Sequence, residues 1–143
     1  MKKYEDHISN WWMLYDLALT GYCSILIMMH KVAGFKLRRV KVARRVMDMV
    51  YLSLSKYPSP ATASSLFGAF RCYVAYACLA EHLLNGDTRE PGPCATTDIA
   101  LLDKVADSMS VVARMDGDFI PLMRTLQDLN SNIHAKWNGV SPT

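Results

Sequence analysis

The sequence predicts an all-helical single domain, and three observations carry that reading. The segment Leu66 to Leu84, LFGAFRCYVAYACLAEHLL, is apolar around the whole helical circumference apart from Arg71, Glu81 and His82. A helix of that kind must be buried on nearly all sides, so it is expected as the central post with other helices packed around it. Apolar residues elsewhere recur at three- and four-residue spacing, and strand signals are nearly absent. With 143 residues and 51% hydrophobic content, the chain suits one domain, residues 1–143, with a sizeable core.

The first element is an amphipathic helix built on Ile8, Trp11, Trp12, Tyr15, Ala18, Leu19, Tyr22 and Leu26. Gly21 is a candidate break and Gly34 a candidate cap, so residues 5–32 form either one helix or two. From Lys36 to Lys56, Leu37, Val40, Ala43, Val46, Met47, Val50 and Leu54 repeat helically, while Lys36, Arg38, Arg39, Lys41, Arg44 and Arg45 crowd the N-terminal half. Seven basic residues against Asp48 alone give this helix +6 in a chain of net +3, leaving −3 for the remainder. Tyr57-Pro58-Ser59-Pro60 ends it, because proline disfavours helical geometry at the residue before it and cannot donate a backbone hydrogen bond.

After the apolar helix, Asn85-Gly86-Asp87 and Glu90-Pro91-Gly92-Pro93 form a loop, and Thr96 or Thr97 is expected to cap a helix from Asp98 to about Arg114. Its core stripe is Ile99, Leu102, Val105, Ala106, Met109 and Val112. A stop at Asp116-Gly117 precedes a helix from Phe119 to Leu129, and the tail after about residue 137 is expected to be disordered.

The apolar segment is nearly long enough for a membrane span, but Arg71 lies inside it and no Lys or Arg cluster flanks either end. Leu17 to Met29 is too short and follows Asp16, so neither a span nor a signal peptide is expected. The four cysteines, at 23, 72, 78 and 94, form no CxxC pair and read as reduced thiols in a reducing compartment. Histidines 7, 30, 82 and 134 have no metal-ligand spacing, and neither phosphate-cradling glycine motifs nor nucleophile elbows occur. Glu81-His82 and Asp116 with Asp118 come nearest to a catalytic pattern, but a histidine beside a core and acids in a turn are ordinary structural residues. No catalysis, no cofactor and no metal are expected. The residues point to a binding protein.

The order of segments resembles the Bcl-2 family, in the second half above all. Thr97-Asp98-Ile99-Ala100-Leu101 is similar to the start of that family's sixth helix. Arg114-Met115-Asp116-Gly117-Asp118-Phe119-Ile120-Pro121-Leu122 resembles its BH2 motif, with Phe119 in the place of the usual tryptophan and Leu122 in that of the following phenylalanine. Leu14-Tyr15 with Gly21-Tyr22 is similar to the first helix and its exit. Gly68-Ala69-Phe70-Arg71 stands where the family has Asn-Trp-Gly-Arg, with Phe70 in the glycine position, and Ala43 to Val50 stands where the family has its own BH3 segment, with Asp48 in the expected slot and Met47 in place of the small residue. Residues 36–56 match either the second or the fourth helix of the family. The short, divergent form resembles homologues of large DNA viruses, iridovirus- or poxvirus-like.

The resemblance implies a Bcl-2-like bundle around a central hydrophobic helical hairpin. Its function would be inhibition of apoptosis, by holding the BH3 helix of a pro-apoptotic protein such as Bim in a surface groove. Such recognition seats apolar side chains at i, i+3, i+4 and i+7 and pairs one acid with a basic residue. Arg71 is the candidate for that basic residue, its plainer reading being an internal ion pair with Asp48 or another acid, or a solvated position where the helix edge surfaces. Phe67, Phe70, Tyr73 and Val74 lie near it, Val46, Met49 and Val50 are candidates for the opposite wall, and Phe119 comes from the BH2-like run. Plain core is the simpler account of each of these apolar positions, because an apolar helical stripe exists first to bury itself. The resemblance also implies the host cytoplasm with recruitment to mitochondria through partners, and a homodimer as a further form; no hydrophobic tail follows Trp137, so membrane anchoring by the family's usual route is not expected. A Bcl-2-fold adaptor-binding immune modulator with an altered groove is the alternative within the scaffold. Binding of nucleic acid through Lys36 to Arg45 is the alternative outside it, and a solvated basic face is the simpler account of those charges, so no nucleic-acid partner is expected.

Overall fold

The computed structural model describes residues 21–26, 36–67, 71–89, 92 and 94–138, and every regular element among them is helical. The elements are α1 (Lys36–Lys56), α2 (Pro60–Phe67), α3 (Arg71–Asn85), α4 (Ala95–Met115), a 3-10 turn (Gly117–Phe119) and α5 (Ile120–Asn138). Residues 21–26 form a further helical stretch that includes Gly21 and contributes Cys23 and Leu26 to the core. The rest of the expected first helix, over residues 5–32, lies outside the described residues.

α1 forms as its periodicity predicts. Val40, Ala43, Val46, Met47, Val50 and Leu54 are all buried, on the face that packs against α3 and α4. Leu37 departs from the expected stripe and is 71% exposed, one turn ahead of the first buried position. Ser53 Oγ donates to the Met49 carbonyl at 2.9 Å, and the Tyr57 amide reaches the Ser53 carbonyl at 2.9 Å in the last turn before Pro58.

The apolar segment is not one helix from Leu66 to Leu84. It is shared between α2 and α3, whose axes differ by 71°. Pro60 does more than end α1: it occupies the first turn of α2, where its missing N–H costs no helical hydrogen bond and its fixed φ suits the helix. Ser59 supplies the cap, its Oγ accepting from the Thr62 amide at 3.2 Å and lying 3.0 Å from the Thr62 hydroxyl. No single helix among the described residues is long and apolar enough to cross a membrane; α2 and α3 reach that length only as this bent pair.

α3 is the central post. Cys72, Ala75, Tyr76, Cys78, Leu79, Ala80 and Leu83 are buried, and the helix contacts α1, α2, α4 and α5. All four cysteines are free thiols, and burial pushes that of Cys78 up from its ordinary value.

α4 begins three residues earlier than expected. Cys94 occupies the N-cap position without a side-chain cap bond, while Thr96 and Thr97 are exposed. Asp98, expected at the solvated start of the helix, is buried because it meets Arg44. Leu102, Val105, Ala106, Met109 and Val112 form the core stripe as expected, with Ile99 half-buried beside it. The stop at Asp116 holds: its carboxylate accepts from the Asp118 amide at 3.0 Å.

α5 runs past the expected end at Leu129 to Asn138 and includes Trp137; residues 139–143, most of the tail expected after about residue 137, lie outside the described residues. The extension is held by the end of α3. Trp137 Nε1 donates to the Leu83 carbonyl at 3.0 Å, and Lys136 Nζ donates to the carbonyls of Leu84 and Gly86. Carbonyls at the end of an α-helix have no partner within the helix, and a cation there also favours the negative end of the dipole.

Candidate functional site

The groove residues read from the sequence fall into three groups. Tyr73, in the first turn of α3, meets Pro121, Leu122 and Thr125 of α5 around an apolar depression of about 360 Å³. Phe119 and Val74 are half-buried against the core, as is Met49. Phe67 is 8% exposed at the end of α2. Val46 and Val50, expected as part of an opposing wall, are fully buried among α1, α3 and α4 and offer no surface to a ligand. The reason is their place at the centre of the α1 stripe, where the bundle covers them. Phe70 and the side chain of Arg71 lie outside the described residues. Tyr73 and Leu122 are thus brought together from opposite ends of the proposed motifs. The two α1 valines are not.

A second concavity, of about 420 Å³, opens at the other end of α3. The N-terminal half of α1 contributes Leu37, Val40, Lys41 and Arg44; the end of α3 and its loop contribute His82, Leu83, Gly86 and Asp87; Cys94, Ala95 and Asp98 come from the start of α4, and Trp137 from α5. Its fixed point is a two-pronged ion pair. Arg44 Nε and Nη2 donate to the two carboxylate oxygens of Asp98 at 2.6 and 2.9 Å. The Asp98 side chain is 2% exposed and that of Arg44 25%. The hydrogen bonds to Asp98 hold the guanidinium above its ordinary pKa against the opposing effect of burial. Sequence reasoning missed this pair. The signal was present in α1, where Arg44 is four residues after Val40 and three before Met47, on the edge of the apolar stripe rather than opposite it.

A third feature is polar and enclosed. The Tyr76 hydroxyl donates to Asn130 Oδ1 and lies 3.3 and 3.4 Å from the carbonyls of Leu102 and Leu126, while Asn130 Nδ2 donates to Leu102 O at 3.1 Å. Tyr76 is fully buried, and burial raises its pKa. This network ties α3, α4 and α5 together with its hydroxyl neutral, which is the chemistry of a lock rather than of proton transfer. Of the two carboxylate-bearing pairs considered from sequence, Glu81 is exposed with His82 half-buried on α3, and Asp116 and Asp118 serve the turn before α5. Among the described residues no group of three metal-ligating side chains occurs.

Compared with known proteins, the chain matches no family model, no curated protein and no solved structure, and the functional reading therefore rests on the geometry of these sites.

Proposed function

We propose that this chain is a binding domain that captures an amphipathic helix of a partner protein. In its specific form the partner is the BH3 helix of a pro-apoptotic protein, and the domain is a viral apoptosis inhibitor of the Bcl-2 type acting in the host cytoplasm. The observation that carries the reading is the apolar depression where Tyr73 meets Leu122. It joins the start of the hydrophobic helix, next to Arg71, to the run that resembles BH2. A helix laid there would seat an apolar residue against Tyr73 and Leu122 and present its acid to Arg71. By sequestering that helix the domain would keep it from activating membrane-permeabilising proteins.

Calorimetry with a panel of BH3 peptides tests this directly. The expected result is saturable binding that weakens at least tenfold with Leu122→Glu, with Arg71→Ala, and with peptides whose acid is changed to alanine. Absence of binding to every peptide by the folded, helical protein would end the BH3 reading. Burial of Val46 and Val50 favours a second reading, in which the groove is altered and the same scaffold binds a signalling adaptor through an outer helix face.

A further inference from the structure

We infer that the concavity between α1, the end of α3 and the start of α4 is a binding site for a small amphiphilic carboxylate. At about 420 Å³ it falls within the roughly 300–1,000 Å³ of small-molecule sites. Its inner surface is apolar: Val40, Leu83 and Ala95 are buried beneath it, and the Trp137 indole is fixed in place by its bond to the Leu83 carbonyl. Leu37, 71% exposed, stands at the mouth and extends the apolar surface outward.

The polar groups decide the sign of the ligand. Most acceptors around the site are engaged, the second oxygen of the exposed Asp87 carboxylate excepted. Both Asp98 oxygens hold Arg44, an Asp87 oxygen accepts from the Arg89 amide at 2.9 Å, and the carbonyls of Leu83, Leu84 and Gly86 receive Trp137 and Lys136. Donors are what the site still offers. Lys41 is exposed on the lining one turn before Arg44, and Arg44 commits two of its N–H groups to Asp98 while remaining a quarter exposed. The first turn of α4, which starts at Ala95 without a side-chain cap, adds the positive end of a helix dipole to the same side. A carboxylate would lie at Lys41 and Arg44, with its hydrocarbon body against Val40, Leu83 and Trp137.

The test uses the full chain and decanoate, below its micelle concentration, with decylammonium as the charge-reversed control. Calorimetry is expected to give one saturable site for decanoate, with affinity at least tenfold above that for decylammonium. Amide NMR shifts should concentrate at residues 94–98 and at the end of α3. Lys41→Glu and Leu37→Asp alter exposed positions and should preserve the helical circular dichroism, yet each should weaken decanoate at least tenfold. No saturable decanoate binding, equal binding of decylammonium, or unchanged affinity in Lys41→Glu would each overturn the inference. Binding of BH3 peptides is independent of all these outcomes, because Tyr73 and Leu122 lie outside this site.

Discussion

Removing either partner of the Arg44–Asp98 pair should destabilise the domain, and by unequal amounts. In Arg44→Ala the carboxylate of Asp98 is left 2% exposed with its two donors gone. Stranding a buried charge in this way costs about 3–5 kcal/mol. In Asp98→Ala the survivor is a guanidinium already a quarter exposed, on a long side chain that can turn further into water. The loss is then that of charge-assisted hydrogen bonds alone, about 1.5–3 kcal/mol. Arg44→Ala should therefore be the worse variant by roughly 1.5–2 kcal/mol, the difference between those two ranges. Arg44→Lys should fall between them, since an ammonium keeps the charge but lacks the two-pronged fork. Replacing both partners by apolar residues, as in Arg44→Met with Asp98→Leu, should cost much less than the sum of the single changes, because the charges leave together. Urea unfolding followed by far-UV circular dichroism gives these differences, provided the dependence on denaturant is the same across the set. If Asp98→Ala proves as costly as Arg44→Ala, or if the single effects simply add in the double variant, the reasoning from unequal burial is wrong.

Three further outcomes follow from the same kind of accounting. Tyr76→Phe should cost about 1–3 kcal/mol, because Asn130 Oδ1 loses its buried donor, and urea midpoints will show it. Gly86→Ala should cost about 1 kcal/mol or more, since its Cβ would stand 3.3 Å from both the His82 carbonyl and Trp137 Cζ2; the accompanying rise in hydrogen exchange at the Trp137 indole distinguishes displacement of the ring from a local effect at the loop. Partial desolvation by its neighbours raises the carboxyl of the exposed Asp48 above its ordinary value, outweighing the attraction of Arg44 and Arg45, so the stability this group contributes is present below the unfolded carboxylate pKa and is lost as pH rises through the folded one. Asp48→Asn should therefore gain on the parent between acid and neutral pH, by within about 0.5 kcal/mol for so exposed a position, and a stability difference that does not vary with pH would refute the sign.

How far the sequence could be read depended on whether an element's signals were local. α1 was legible to its ends because its stripe is regular and Pro58 follows it, and the all-round apolar character of α3 does correspond to the central position in the bundle. The start of α2 at Pro60 carries its signature in Ser59-Pro60, a cap followed by a first-turn proline, and a proline taken only as a stop conceals the helix it starts. The continuation of α5 was also legible in principle, since Leu126, Leu129, Ile133 and Trp137 keep helical spacing beyond the expected end. What holds that extension, the carbonyls at the end of α3, is visible only once the two elements meet. The same is true of the pocket, whose lining comes from three separated stretches, residues 37–44, residues 82–98 and Trp137. Among the expected groove residues, Tyr73 is partly accessible and Val46 and Val50 are not, a distinction that a helical stripe cannot make because its period marks the buried face without saying how deeply it is covered.

The charge on α1 shows how packing changes a compositional inference. Counted along the sequence, its N-terminal half is a dense basic cluster suited to phosphate binding. In the folded domain Arg44 is turned inward and neutralised by Asp98, and Arg45 lies over the Tyr22 ring at 6.0 Å. Arg38 is engaged as well, and Arg39 is half-buried with its Nε enclosed. Lys41 is an exposed cation beside an apolar cavity, and Arg38 and Arg45 are exposed on the same helix. A nucleic-acid surface needs several cations free to follow a backbone, and each one committed to an internal partner removes a counterion-releasing contact from the affinity. One or two cations at the edge of a concave apolar surface instead suit a ligand carrying a single negative group on a hydrophobic body.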